Sequence, residues 1–123
     1  MTVGEIKNTV MFQTNNDSDD LEDFLPYLMD YINDGYDRLV YAYTKKHASP
    51  MLHADTETPD LPEWAHPALA DWATWLVYRN GNPQKQQRGM QYRNSFALVE
   101  SRLRDEGGKD GQGIKIKNWM NIY

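Results

Sequence analysis

The chain has 123 residues, with 13 Lys+Arg against 18 Asp+Glu for a formal net charge of −5, 40% hydrophobic residues and no cysteine. That length suits one domain able to bury roughly two-thirds of its extended-chain surface, and the missing cysteines exclude disulfides, thiolate metal sites and cysteine nucleophiles. No basic segment followed by an apolar run opens the sequence, and the longest apolar stretch, 68–78, is broken by Asp71 and too short for a hydrocarbon core of about 30 Å, so a soluble protein with no membrane partner is expected.

Helix signals dominate. Thr2-Val3-Gly4-Glu5 reads as a capping box, followed by an apolar stripe of Val3, Ile6 and Val10 on a short first helix. The run Asn15-Asn16-Asp17-Ser18-Asp19-Asp20 ends it, because these side chains compete for local backbone hydrogen bonds. A short turn over 19–24 and a main helix over about 25–46 are expected around Pro26. Leu25, Leu28, Ile32, Tyr36, Leu39 and Tyr43 form its buried face, and Lys45, Lys46 and His47 close it where cations suit the dipole. Residues 48–62 hold three prolines and no period, and read as a loop. Pro67 suits the first position of a third helix with Leu69, Trp72 and Leu76 inward. Asn80-Gly81 stops that helix, Gly81 being able to adopt a left-handed conformation cheaply, and Asn82-Pro83 starts a fourth. The junction is short enough to make helices three and four a hairpin.

The fourth helix is expected to carry Gly89, Tyr92, Phe96, Val99 and Leu103 on one face and to stop at Gly107-Gly108, near Glu106. Two units follow from this: a helical domain over 1–106, and a glycine-rich linker with a C-terminal arm over 107–123. The arm, with Ile114, Ile116 and Trp119, shows the only strand-like alternation in the sequence. It either folds back on its own domain or docks on a neighbouring subunit. The fold class is therefore all-α, a bundle of about four helices with an extended arm.

Charge is unevenly distributed: residues 1–71 hold 14 acids and 4 bases, a net of −10, and residues 72–123 hold 4 acids and 9 bases, a net of +5. The two halves supply either opposite binding patches or two solvated faces. Catalytic and cofactor signals are missing. His47, His53 and His66 fit no tight ligand spacing, and the acidic 17–20 cluster lacks the glycine and glutamate of an EF-hand. Gly107, Gly108, Gly111 and Gly113 lack a phosphate-loop pattern, and no nucleophile motif is present. The expectation is a non-enzyme without metal or cofactor. Eight Tyr, four Trp and three Phe read as core or as a protein interface, where Tyr, Trp and Arg are enriched. Arg79, Lys85, Arg88 and Arg93 near Tyr78 and Tyr92 leave open a nucleic-acid-binding module, such as a packaging or regulatory factor.

Segments 61–79 (LPEWAHPALADWATWLVYR) and 81–89 (GNPQKQQRG) resemble the helix-hairpin region of small head–tail connector (adaptor, or head-completion) proteins of tailed bacteriophages and prophages. Segment 30–39 (DYINDGYDRL) is similar to the region before that hairpin. The resemblance implies a structural protein of the virion, made in the host cytoplasm and assembled as a ring, commonly dodecameric, under the portal protein. Such a ring joins capsid to tail, meets a tail-side stopper or completion protein, and lets packaged DNA pass without sequence-specific binding. A head-to-tail ring needs two different complementary patches per subunit. Asp30, Asp34 and Asp37 facing Arg79, Lys85 and Arg88 of a neighbour would supply them, with Ile114, Ile116 and Trp119 as an accessory contact.

Overall fold

A computed structural model describes residues 1–14 and 23–110, with residues 108–110 described by their backbone alone. Every regular element among the described residues is helical. Helix α1, Val3–Gln13, begins with the expected capping box: Thr2 Oγ1 accepts from the Glu5 amide at 3.2 Å, and Glu5 Oε1 accepts from the Thr2 amide at 2.8 Å. Two further amides at this end find carbonyls of the long loop. Val3 N–H donates to Glu57 O at 2.8 Å and Gly4 N–H to Asp55 O at 2.9 Å. All of the amides left without an intrahelical partner by this terminus are thus partnered by chain, not by water. Val3, Ile6 and Val10 are fully buried, as the spacing predicts.

The main helix α2 is shorter than its periodicity suggests. Leu25–Tyr27 forms one 3-10 turn, and α2 proper runs Leu28–Thr44. Pro26 explains the break: it has no amide for an α-helical ladder, and a tight first turn accepts it. Because Leu25 sits in that turn, it is out of register with the stripe and 44% exposed, contrary to expectation. Leu28, Ile32, Tyr36 and Leu39 are buried, and Ala42 joins them while Tyr43 is half-buried. Lys45 ends the helix in the left-handed region at φ 66, so the three cations lie beyond the last turn, not within it. Of the turn expected over 19–24, residues 19–22 lie outside the described residues.

The loop from 45 to 62 is pinned along α2. The Asn33 side chain makes a two-way bridge with Leu52, donating to its carbonyl and accepting from its amide, each at 2.9 Å. Asp37 accepts from the Ala48 amide at 2.9 Å, and Tyr36 Oη accepts from the Asp60 amide at 3.2 Å. Glu57 folds back to accept the amides of His53 and Ala54. Leu52, buried beneath these bonds, links the loop to the core.

Helix α3, His66–Arg79, is the central element, with Pro67 at its second position. Leu69, Trp72 and Leu76 are buried, but so are Ala68, Ala70, Ala73, Thr74, Val77 and Tyr78, since α3 is covered by α1, α2 and α4 together. Helix α4, Pro83–Asp110, runs antiparallel to α3: Arg102 lies over Trp64, Phe96 meets Trp72, and Gly89 meets Tyr78. Asn82 Oδ1 caps it through the Lys85 amide at 2.9 Å.

Two glycine expectations fail. Gly81 has no positive φ; α3 ends because its C-cap turn leads straight into Asn82-Pro83, which bars continuation. Gly107-Gly108 does not stop α4, which continues to Asp110. Gly107 is a packing residue: a Cβ there would collide with the Tyr43 carbonyl oxygen, where α4 crosses the end of α2. Gly89 does the same against α3, its missing Cβ being 2.7 Å from Tyr78 Cβ. The helical body therefore passes the boundary expected at 106.

Candidate functional site

The six charged interface candidates fall into two groups. On α2, Asp34 accepts a hydrogen bond from Trp72 Nε1 at 2.6 Å, and Asp37 holds the Ala48 amide and His47 Nδ1, 3.1 Å away. These two carboxylates fasten the fold as well as charging its surface. Lys85 and Arg88 likewise have partners within the chain, and Arg88 lies 5.9 Å from the centre of the Tyr78 ring. Asp30 and Arg79 are exposed and make no ion pair among the described residues. The candidates Ile114, Ile116 and Trp119 lie outside the described residues, as does the acidic run after α1.

The aromatic excess resolves into core and cover. Tyr78 and Phe96 are buried at 1% exposure, and Trp72 packs on Phe96 at 4.6 Å between centroids. Arginines lie over the three tryptophans of this region, while Phe12, Tyr27 and Tyr41 stay exposed with no arginine over them among the described residues. Arg102 lies 3.8 Å from the Trp64 centroid, Arg38 4.5 Å from Trp72, and Arg93 5.7 Å from Trp75. Each guanidinium shields apolar ring surface and gains the attraction of the ring's negative face. Arg38 also reaches Glu100 at 3.4 Å, tying α2 to α4. Sequence reasoning missed Arg38 and Asn33, because both act on residues 19 or more positions away. A lone Asn within a helical stripe carries no local signal of its bridge.

The titratable groups that depart from ordinary behaviour are structural. Burial pushes the Asp71 carboxyl up, with a hydrogen bond from Gln13 Nε2 at 3.1 Å opposing it. Thr74 donates to Gln13 Oε1, so this side chain bridges α1 and α3. Burial also raises Tyr36. Glu57 is held low by the amides of His53 and Ala54. His66, 1% exposed, donates from Nε2 to Leu61 O at 2.9 Å, which leaves Nδ1 to accept from the Met1 amine at 2.9 Å. Among the described residues no group of three or more His, Cys, Asp or Glu could hold a metal ion, and no helix is long and apolar enough to cross a membrane.

No family model, curated protein or solved structure matches the chain. The described residues form a helical body with Asp30 on α2 and Arg79 at the end of α3 as exposed opposite charges, and with one long helix, α4.

Proposed function

We propose that this chain is a structural subunit of a head–tail connector of a tailed bacteriophage, assembling as a ring between the portal protein and a tail-side partner without catalysing a reaction. The observation that supports this reading is the hairpin: the two segments that carry the resemblance, 61–79 and 81–89, hold the 3-10 turn Glu63–Ala65, all of α3 and the start of α4, and the two helices are joined by a tight turn at the exposed end of the bundle. A part whose role is mechanical is served by such a rigid element.

Ring closure uses a heterologous interface. Of the six charges considered for it, Asp30 and Arg79 are the pair best able to meet a neighbour, since the other four already serve internal contacts. Rim pairs of this kind steer association and register more than they add affinity. Arg79→Glu should reduce co-sedimentation with portal rings, and adding Asp30→Arg in the same chain should restore it, because both patches then change sign together. Unchanged binding by Arg79→Glu removes this pair from the interface. The nucleic-acid reading has less support: base stacking needs open ring faces beside cations, whereas Trp64 and Trp75, beside the basic α4, carry the chain's own arginines and Tyr78 is buried, and the exposed rings Phe12, Tyr27 and Tyr41 lie in the acidic half of the chain.

A further inference from the structure

The turn between α3 and α4 carries the single Asn-Gly pair of the sequence, Asn80-Gly81. In such a pair the backbone nitrogen of the second residue can attack the asparagine side chain, because glycine has no Cβ to shield that nitrogen. Asn80 is exposed, so water reaches the product of the attack. Gly81 has no positive φ, and packing is what requires it: a Cβ there would lie 2.8 Å from Lys85 Cβ. The hairpin therefore keeps, next to Asn80, the one residue type that leaves its nitrogen open to reaction.

A set of hydrogen bonds holds this reaction off. The Asn80 side-chain amide donates to Leu76 O at 3.3 Å, and the Gly81 amide donates to Tyr78 O at 3.0 Å. The Gln86 side chain reaches back from α4 and donates to Arg79 O at 3.2 Å and to Gly81 O at 3.1 Å, bracketing Asn80 from both sides. Asn80 itself has ψ 1, which sets the Gly81 nitrogen beside the Asn80 backbone nitrogen and turned away from the Asn80 side chain. Ring closure needs the opposite arrangement, so the turn must open before the nitrogen can reach its target.

We infer that Asn80 is a latent deamidation site gated by the end of α3, with Gln86 as the latch. When the turn opens, the Gly81 nitrogen bonds to Asn80 Cγ, the Cγ–Nδ2 bond breaks, and ammonia leaves with the proton of the Gly81 amide. Water then opens the cyclic imide at either carbonyl and leaves an aspartate or an isoaspartate. The sequence of steps is a hydrolysis and needs no oxidant, reductant or cofactor. Asn82 cannot close the same ring, because the Pro83 nitrogen has no proton to give up. Each converted chain gains one negative charge beside Arg79. Only the effect of that charge on a ring interface rests on the connector reading; the deamidation itself stands or falls alone.

Peptide mass spectrometry of the full chain, aged in mildly alkaline buffer with and without concentrated urea, tests it. Trypsin releases residues 80–85, in which conversion replaces an amide by a carboxyl and shifts the mass. In urea Asn80 should convert and Asn82 should not. In the folded chain conversion should be more than about tenfold slower, since the opened turn is a minor local state. Gln86→Ala should raise the folded-state rate about fivefold, the change in population that one net hydrogen bond supports. Gln87→Ala, at the next exposed position, and Asn33→Ala, which loosens a different loop, should leave that rate unchanged. Equal rates with and without urea, no conversion in urea, or a Gln86→Ala rate equal to the parent's would each overturn the proposal. Acceleration by Gln87→Ala or Asn33→Ala to the same degree would assign conversion to unfolding of the whole bundle and overturn the gate.

Discussion

Gly107→Ala adds one methyl group at the point where α4 crosses the end of α2. The new Cβ would collide with the Tyr43 carbonyl oxygen and lie 2.9 Å from its carbon and 3.1 Å from its Cα. A comfortable contact needs about 3.5 Å, so the two helices must part. The obstacle is backbone, which cannot rotate aside like a side chain. Overpacking of a tight core costs about 1–3 kcal/mol, and this contact belongs at the upper end. Against it stands the better helix propensity of alanine over glycine, about 1 kcal/mol. The balance is a loss of about 2 kcal/mol, a fall in Tm of about 6–9 °C for a domain near this size. Thermal and urea denaturation followed by circular dichroism measure it. Gly4→Ala is the control: its Cβ would meet nothing nearer than the Asp55 carbonyl oxygen at 3.4 Å, at negative φ, and stability should change by less than about 1 kcal/mol. If Gly107→Ala is as stable as the parent or more so, the close crossing is refuted and Gly107 is merely a poor helix former.

Two other substitutions probe how the surrounding elements are held. Asn33→Ala removes both bonds of the bridge to Leu52, leaving two backbone groups without their partner at a cost of about 1–3 kcal/mol; hydrogen exchange at the Leu52 amide should accelerate, and unchanged protection would show that the loop is held elsewhere. Asp71→Asn keeps an acceptor for Gln13 and removes a carboxyl whose folded-state pKa burial raises. A carboxyl of raised folded pKa binds its proton more tightly in the native state, so its contribution is present below the ordinary value of 3.8 and declines as pH rises through the folded value. Asp71→Asn should therefore be more stable than the parent at neutral pH and lose that advantage in acid, which denaturation at the two pH values would show; a variant less stable at neutral pH would contradict the burial argument.

The helices themselves were legible because their causes are local. The Thr2–Glu5 box, the spacing of Val3, Ile6 and Val10, and the Asn82-Pro83 start each depend on residues within one or two turns. What was not legible depends on partners distant in sequence. Gly107 looks like a helix stop until Tyr43 is seen against it, and Leu25 looks like core until Pro26 turns it out of register. The charge asymmetry between the two halves was visible, but not that Asp34, Asp37, Lys85 and Arg88 are engaged inside the fold.

The central claim, that this chain is built to assemble at the head–tail junction, is tested most directly by electron microscopy of the full chain mixed with the portal ring of the same phage. The account predicts a second ring stacked coaxially on the portal, with Asp30 and Arg79 at each subunit boundary. Portal particles with no added density, together with DNA binding by the chain that weakens steeply with salt, would contradict it and favour a nucleic-acid-binding module instead.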